Sequence, residues 1–131
     1  MFTFRDDGDV KATIRTFYES GRPTAVVCHG TAGLVDLTLS DGSYLIDGLT
    51  MTGFANVEED YADSVVGQKV MPWRIEDAAL ERGANYIRAA AFAPFAVRDG
   101  NLITGQQQNS GGRAAQLVIE ALGIPVLAGQ A

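Results

Sequence analysis

The run Thr24-Ala25-Val26-Val27-Cys28-His29-Gly30-Thr31-Ala32-Gly33-Leu34 constrains this chain more than any other stretch. Its first four residues are small or β-branched, as in a buried strand, and Gly30 with the Ala-Gly-Leu-Val after it predicts a tight turn into a helix over residues 32–38. Cys28 therefore falls at a strand-to-helix corner. A side chain at such a corner is pushed out of the sheet, and small neighbours such as Gly30 let the backbone come close to whatever that side chain attacks. Thiolate is the reactive form of cysteine, and the unpaired N–H groups of a helix start favour negative charge. The chain has one cysteine and one histidine, and they are neighbours, so a base stands beside the nucleophile. The same pair also fits an inert buried cysteine beside a histidine at a helix start. Residue types alone leave both readings open.

The chain's 131 residues, 47% apolar and 20% charged, predict one small domain of mixed type, residues 1–131, able to bury a core. A net charge of −6 with no basic stripe excludes a nucleic-acid surface. One cysteine forms no internal disulfide, and no Cys/His cluster has metal-ligand spacing, which points to a reducing, cytoplasmic setting and no metal. The N-terminus lacks the basic and apolar regions of a signal peptide, and apolar runs break well before membrane-spanning length, so a soluble protein is expected.

Around the corner the periodicity predicts an α/β alternation. Asp9 is placed to cap a helix over residues 10–20 with a stripe of Val10, Ile14, Phe17 and Tyr18, and Gly21-Arg22-Pro23 stops it and feeds the Thr24–Val27 strand. A second strand is expected over residues 49–54, a helix opening at Met71-Pro72-Trp73 and running to Leu80, and a short strand over 84–88. Phe95 to Arg98 and Leu102 to Thr104 read as a hairpin about Asp99-Gly100-Asn101. Residues 106–112 read as a polar, flexible loop that either connects elements at the surface or walls a pocket with amides, Gln106 and Asn109 among them; a helix over 113–122 and a tail over 124–131 follow. In Ala55-Asn56-Val57-Glu58-Glu59-Asp60-Tyr61, Asn56 fits an N-cap with Glu59 three positions on, the capping-box spacing. The other use of this acidic run is to orient His29, and spacing does not choose among Glu58, Glu59 and Asp60.

Taken in order, Phe17-Tyr18-Glu19-Ser20-Gly21-Arg22-Pro23, Ala25-Val26-Val27-Cys28-His29-Gly30, Thr52-Gly53-Phe54-Ala55-Asn56-Val57-Glu58-Glu59, Glu81-Arg82-Gly83-Ala84-Asn85-Tyr86 and Asp99-Gly100-Asn101-Leu102-Ile103-Thr104-Gly105-Gln106 resemble the ThiJ/PfpI superfamily. Within it they resemble the glyoxalase III and heat-shock-chaperone branch, over residues 9–122. The resemblance implies a flavodoxin-like fold, as in class I glutamine amidotransferase domains: an α/β three-layer sandwich with a mainly parallel sheet and the site at the carboxyl ends of its strands. It implies Cys28 as nucleophile, His29 as its partner, Glu59 as the acid orienting His29, Gly30 holding the elbow and the His29 N–H as an oxyanion donor. The implied chemistry is cofactor-free conversion of a small 2-oxoaldehyde, such as methylglyoxal, to a hydroxy acid through a hemithioacetal on Cys28. A chaperone-like or structural role is the alternative the branch offers, and the same fold also hosts amidases, peptidases and isonitrile hydratases. Where the family has Asn-Pro after the Gly-Gln, this chain has Gln107-Gln108. The family's first strands, its N-terminal carboxylate and its glycine motif have no counterpart before Met1-Phe2-Thr3-Phe4. A sheet lacking those strands exposes unpaired backbone, so a homodimer or larger assembly is expected to cover it.

Overall fold

The structure is a computed structural model that describes residues 2–123; the tail expected over 124–131 lies outside the described residues. The chain opens on α1 (Gly8–Glu19), which leads into β1 (Thr24–Val27). Asp7, not Asp9, caps α1: its Oδ1 accepts from the N–H groups of Asp9 and Val10, both at 2.9 Å. The helix starts two residues earlier than the stripe suggests, and Asp9 falls in the first turn, where a negative charge suits the helix dipole.

After β1 the chain winds as a 3-10 segment, Cys28–Leu34, in place of the helix expected over 32–38. Its tight turns draw α1 in, so that a Cβ on Gly33 would stand 3.1 Å from Ile14 Cδ1 and 3.3 Å from Val10 Cγ1. The chain then turns away at Asp36, whose carboxylate receives Arg5 Nε at 2.6 Å and Arg82 Nη2 at 2.8 Å. This ties the N-terminal segment to the end of a distant helix.

Next come β2 (Thr50–Met51), α2 (Asn56–Val66), α3 (Ile75–Glu81), β3 (Asn85–Tyr86), β4 (Ala96–Asp99), β5 (Leu102–Gly105) and α4 (Gly111–Ala121). β2 is shorter than expected because the chain leaves the ladder after Met51: the Thr52 N–H donates to the Thr104 hydroxyl at 2.9 Å, and the Phe54 N–H points at the Cys28 carbonyl at 3.4 Å. α3 starts at Ile75 rather than Met71, since Pro72 keeps the residue before it out of helical geometry and Arg74 is still extended. The hairpin appears where it was expected, with Gly100 at φ +60 in its turn.

The fold class is α/β and the sheet is mixed. β1 pairs in parallel with β5 (Thr24↔Leu102 to Val27↔Gly105), β5 pairs antiparallel with β4, and β2 and β3 form a separate parallel pair. β1 thus has a ladder partner on one side alone among the described residues, as the expected unpaired edge requires. Leu34, Val35, Leu37, Ile46, Met51, Ile75, Leu102 and Ile103 form the buried core. It lies directly beneath the Cys28 corner, with Cys28 itself packed against it. No helix among the described residues is long and apolar enough to cross a membrane.

Candidate active site

Cys28 has φ +62, in the left-handed region that a side chain with a Cβ rarely takes. The strain of the corner therefore sits on the cysteine itself and not on Gly30, where an added Cβ would meet open space. Two donors hold the Cys28 carbonyl: the Thr31 hydroxyl at 2.7 Å and the Phe54 N–H at 3.4 Å. Thr31 is wholly buried, and Gly53 gives it room, since a Cβ there would overlap the Thr31 hydroxyl and stand 3.0 Å from its Cβ. The Thr-Gly-Phe segment after β2 is thus the floor on which the corner rests.

His29 bridges two groups. Its Nδ1 lies 3.7 Å from Cys28 Sγ, and its Nε2 lies 3.4 Å from Glu59 Oε1. The Glu59 side chain is 2% exposed and the His29 side chain 32%. The His29–Glu59 contact is one of charge more than of a linear hydrogen bond, and Glu59 Oε2 is buried with no hydrogen-bond partner among the described residues. Burial alone would lower the histidine pKa, but the contacts with Cys28 and Glu59 and their charges outweigh it and raise it to about 9. The Phe54 ring stands edge-on to the imidazole, centroids 4.1 Å apart, and shields one side of it.

The acidic run divides its work by register. The N-cap of α2 is Ala55, one residue before the expected Asn56, so Glu58 and not Glu59 occupies the third helical position and accepts the Ala55 N–H at 3.0 Å. Asp60 faces outward to Arg74 at 2.8 Å. Glu59 is the acid left facing His29. The 106–109 stretch is not a flexible surface loop: Gln106 and Gln107 are wholly buried. Gln106 binds Glu58 Oε2 at 3.1 Å and the Ala89 N–H at 2.9 Å, and Asn109 donates to the Phe92 carbonyl at 3.0 Å. These amides hold the segment between β3 and β4, and none of their hydrogen bonds reaches Cys28 or His29. A surface cavity of about 580 Å³ lined by Arg5, Trp73, Arg74 and Asp77 shares no residue with the Cys28 corner.

No family model matches the chain. Glyoxalase 3 of Candida albicans is 31% identical over 124 residues, 92% of this chain and 52% of that protein. The crystal structure of glyoxalase III from Candida albicans covers 92% of this chain and 52% of its own at TM-score 0.78 and 30% identity. The ThiJ/PfpI domain protein of Brachyspira murdochii shares the fold at TM-score 0.65 and 16% identity over 93% of this chain and 54% of that one. The chain is therefore similar in sequence to glyoxalase 3 proteins and shares the fold of ThiJ/PfpI proteins. Human glutamine amidotransferase-like class 1 domain-containing protein 1 is 29% identical over 79% of this chain and 46% of its own length. The chain spans about half the length of the curated relatives it matches.

Sequence reasoning missed three parts of this candidate site: Thr31 under the corner, Phe54 against the imidazole and Glu58 as the capping acid. The register of Glu58 was open to view, since it stands three residues after Ala55, but an alanine carries no side-chain cap to mark the position.

Proposed function

We propose that this chain carries the reactive centre of a cofactor-independent glyoxalase III-type enzyme acting on small 2-oxoaldehydes. The observation that supports it most is the bridge: a strained Cys28 beside an imidazole whose far nitrogen meets the buried carboxylate of Glu59. With its pKa near 9, His29 is protonated at neutral pH and sets a positive charge beside the Cys28 sulfur, where it favours the reactive thiolate form. The thiolate attacks the aldehyde carbon, a C–S bond forms, and the carbonyl oxygen takes the His29 proton to give a hemithioacetal. Neutral imidazole then removes the proton from that same carbon, giving an enediol, and returns it to the neighbouring carbon, leaving a thioester of Cys28 and a 2-hydroxy acid. Water cleaves the thioester and restores the thiol. The hydride equivalent moves within the substrate, so no oxidant or reductant is consumed. In this reading Glu59 acts through His29 as a positioning residue, and the His29 N–H, in the first turn of the 3-10 segment, is the oxyanion donor.

The test of the nucleophilic pair is alkylation of Cys28, the chain's one thiol, by iodoacetamide at pH 6. Wild type reacts fast and His29→Ala loses at least about tenfold, which is about 1.4 kcal/mol of activation free energy. Equal rates in the two proteins would remove the mechanism. A chaperone-like reading has its own support in the open edge of β1 and the exposed Phe2, Phe4 and Phe17, 65%, 41% and 46% accessible. It requires suppression of client aggregation that survives Cys28→Ser.

A further inference from the structure

Phe92 has φ +61 and is, with Cys28, one of two non-glycine residues in the left-handed region among the described residues. For a bulky aromatic this is a genuine outlier, and such strain persists only where the surroundings over-determine it. Here they do. Glu58 Oε2 accepts the Phe92 N–H at 2.8 Å, and Asn109 Nδ2 donates to the Phe92 carbonyl at 3.0 Å. Gln106 grips the Ala89 N–H at 2.9 Å on one side of it, and the Gln107 amide donates to the Ala93 carbonyl on the other. Glu58 is wholly buried and its two oxygens take three donors, so a fully satisfied internal carboxylate is devoted to this backbone and the start of α2.

A glycine would adopt the same backbone without strain, so the arrangement serves the ring. That ring packs edge-to-face on Phe54, with centroids 6.2 Å apart, and on Tyr61 at 5.3 Å. Phe54 in turn packs on His29 at 4.1 Å. Tyr61, Phe92 and Phe54 therefore form a continuous aromatic wall ending on the imidazole beside Cys28. Phe92 is only half-buried, so part of it reaches solvent.

We propose that Phe92 is a specificity-determining residue. It closes the His29 side of the site against electrophiles with bulky substituents, and the rack of buried Glu58, Gln106 and Gln107 with the exposed Asn109 exists to hold it there. The proposal rests on the reading of Cys28 as the group that meets substrate. It limits that substrate to short-chain carbonyl compounds, because a larger group on the carbon attacked by Cys28 would have to displace a ring whose backbone cannot relax.

The test uses the single thiol and does not depend on turnover. Second-order rates of Cys28 alkylation by N-methylmaleimide and N-benzylmaleimide are measured on wild type and Phe92→Gly, each normalised to the same protein unfolded in urea. Removing the ring is expected to raise the benzyl-to-methyl ratio about tenfold, the discrimination an apolar pocket wall ordinarily provides. A ratio within twofold of wild type in a folded variant overturns the proposal. Should Phe92→Gly fail to fold by circular dichroism, Phe92→Leu, which keeps an apolar side chain but removes the ring, is read by the same ratio. If the protein shows no aldehyde turnover at all, the glyoxalase reading falls while this ratio still decides the role of Phe92.

Discussion

At the scale of single residues, the corner joins three side chains whose charges depend on one another. His29 binds its proton more tightly folded, near pH 9, than unfolded, where an imidazole titrates near 6.5. Its contribution to stability is therefore full below about pH 6.5 and is lost as pH rises through about 9. Urea denaturation should show wild type losing stability relative to His29→Gln across that window, and a constant difference would contradict the ion pair. Glu59→Gln removes one of the two groups that hold the proton, so the histidine pKa, followed by the ring C–H resonances, should fall; it should not fall in Asp60→Asn, whose carboxylate faces Arg74 instead. Cys28 and His29 were legible in the sequence because the chain has one of each. The choice among Glu58, Glu59 and Asp60 was not legible from spacing, because it turns on whether α2 begins at Asn56 or is capped there. Local propensity favours an asparagine cap, yet the structure shifts the register by one and sends Glu58 to the Ala55 N–H.

Among the elements, the corner works because the segment after β2 leaves its ladder to support it. Gly53→Ala would push on the Thr31 hydroxyl, which holds the Cys28 carbonyl, and both atoms lie in a packed interior. It should cost about 1–3 kcal/mol by chemical denaturation, the range for overpacking a core. Thr31→Ala, which loses the hydrogen bond without a clash, should cost about 1 kcal/mol. A Gly53→Ala protein as stable as wild type would show that the corner does not rest on this floor. The strong periodic or turn signals, those of α1, β1, the β4–β5 hairpin and α4, were readable to within two residues. The 3-10 segment was misread as helix because small residues fit either winding, and what chooses between them is α1 packing onto Gly33, a contact 19 residues away in sequence from Ile14. Residues 106–109 were misread as a flexible loop for a related reason. Four polar side chains in a row look solvated until the backbone segment that Gln106, Gln107 and Asn109 bind is in place.

For the molecule as a whole, the consequential feature is that β1, the strand leading into Cys28, is open on one edge among the described residues. Unpaired edges invite partners, and we expect a second copy of the chain to cover this one. Light scattering at micromolar concentration should then give a mass of two chains or more, and a monodisperse folded monomer would count against it. The relatives that the chain matches are about twice as long as this chain, so turnover by the chain itself is the quantity to measure. The decisive experiment is methylglyoxal consumption with detection of D- and L-lactate, comparing wild type with Cys28→Ala at matched circular dichroism. Our account predicts lactate from wild type and none above the uncatalysed rate from Cys28→Ala. Lactate formed equally by both, or by neither, would contradict it.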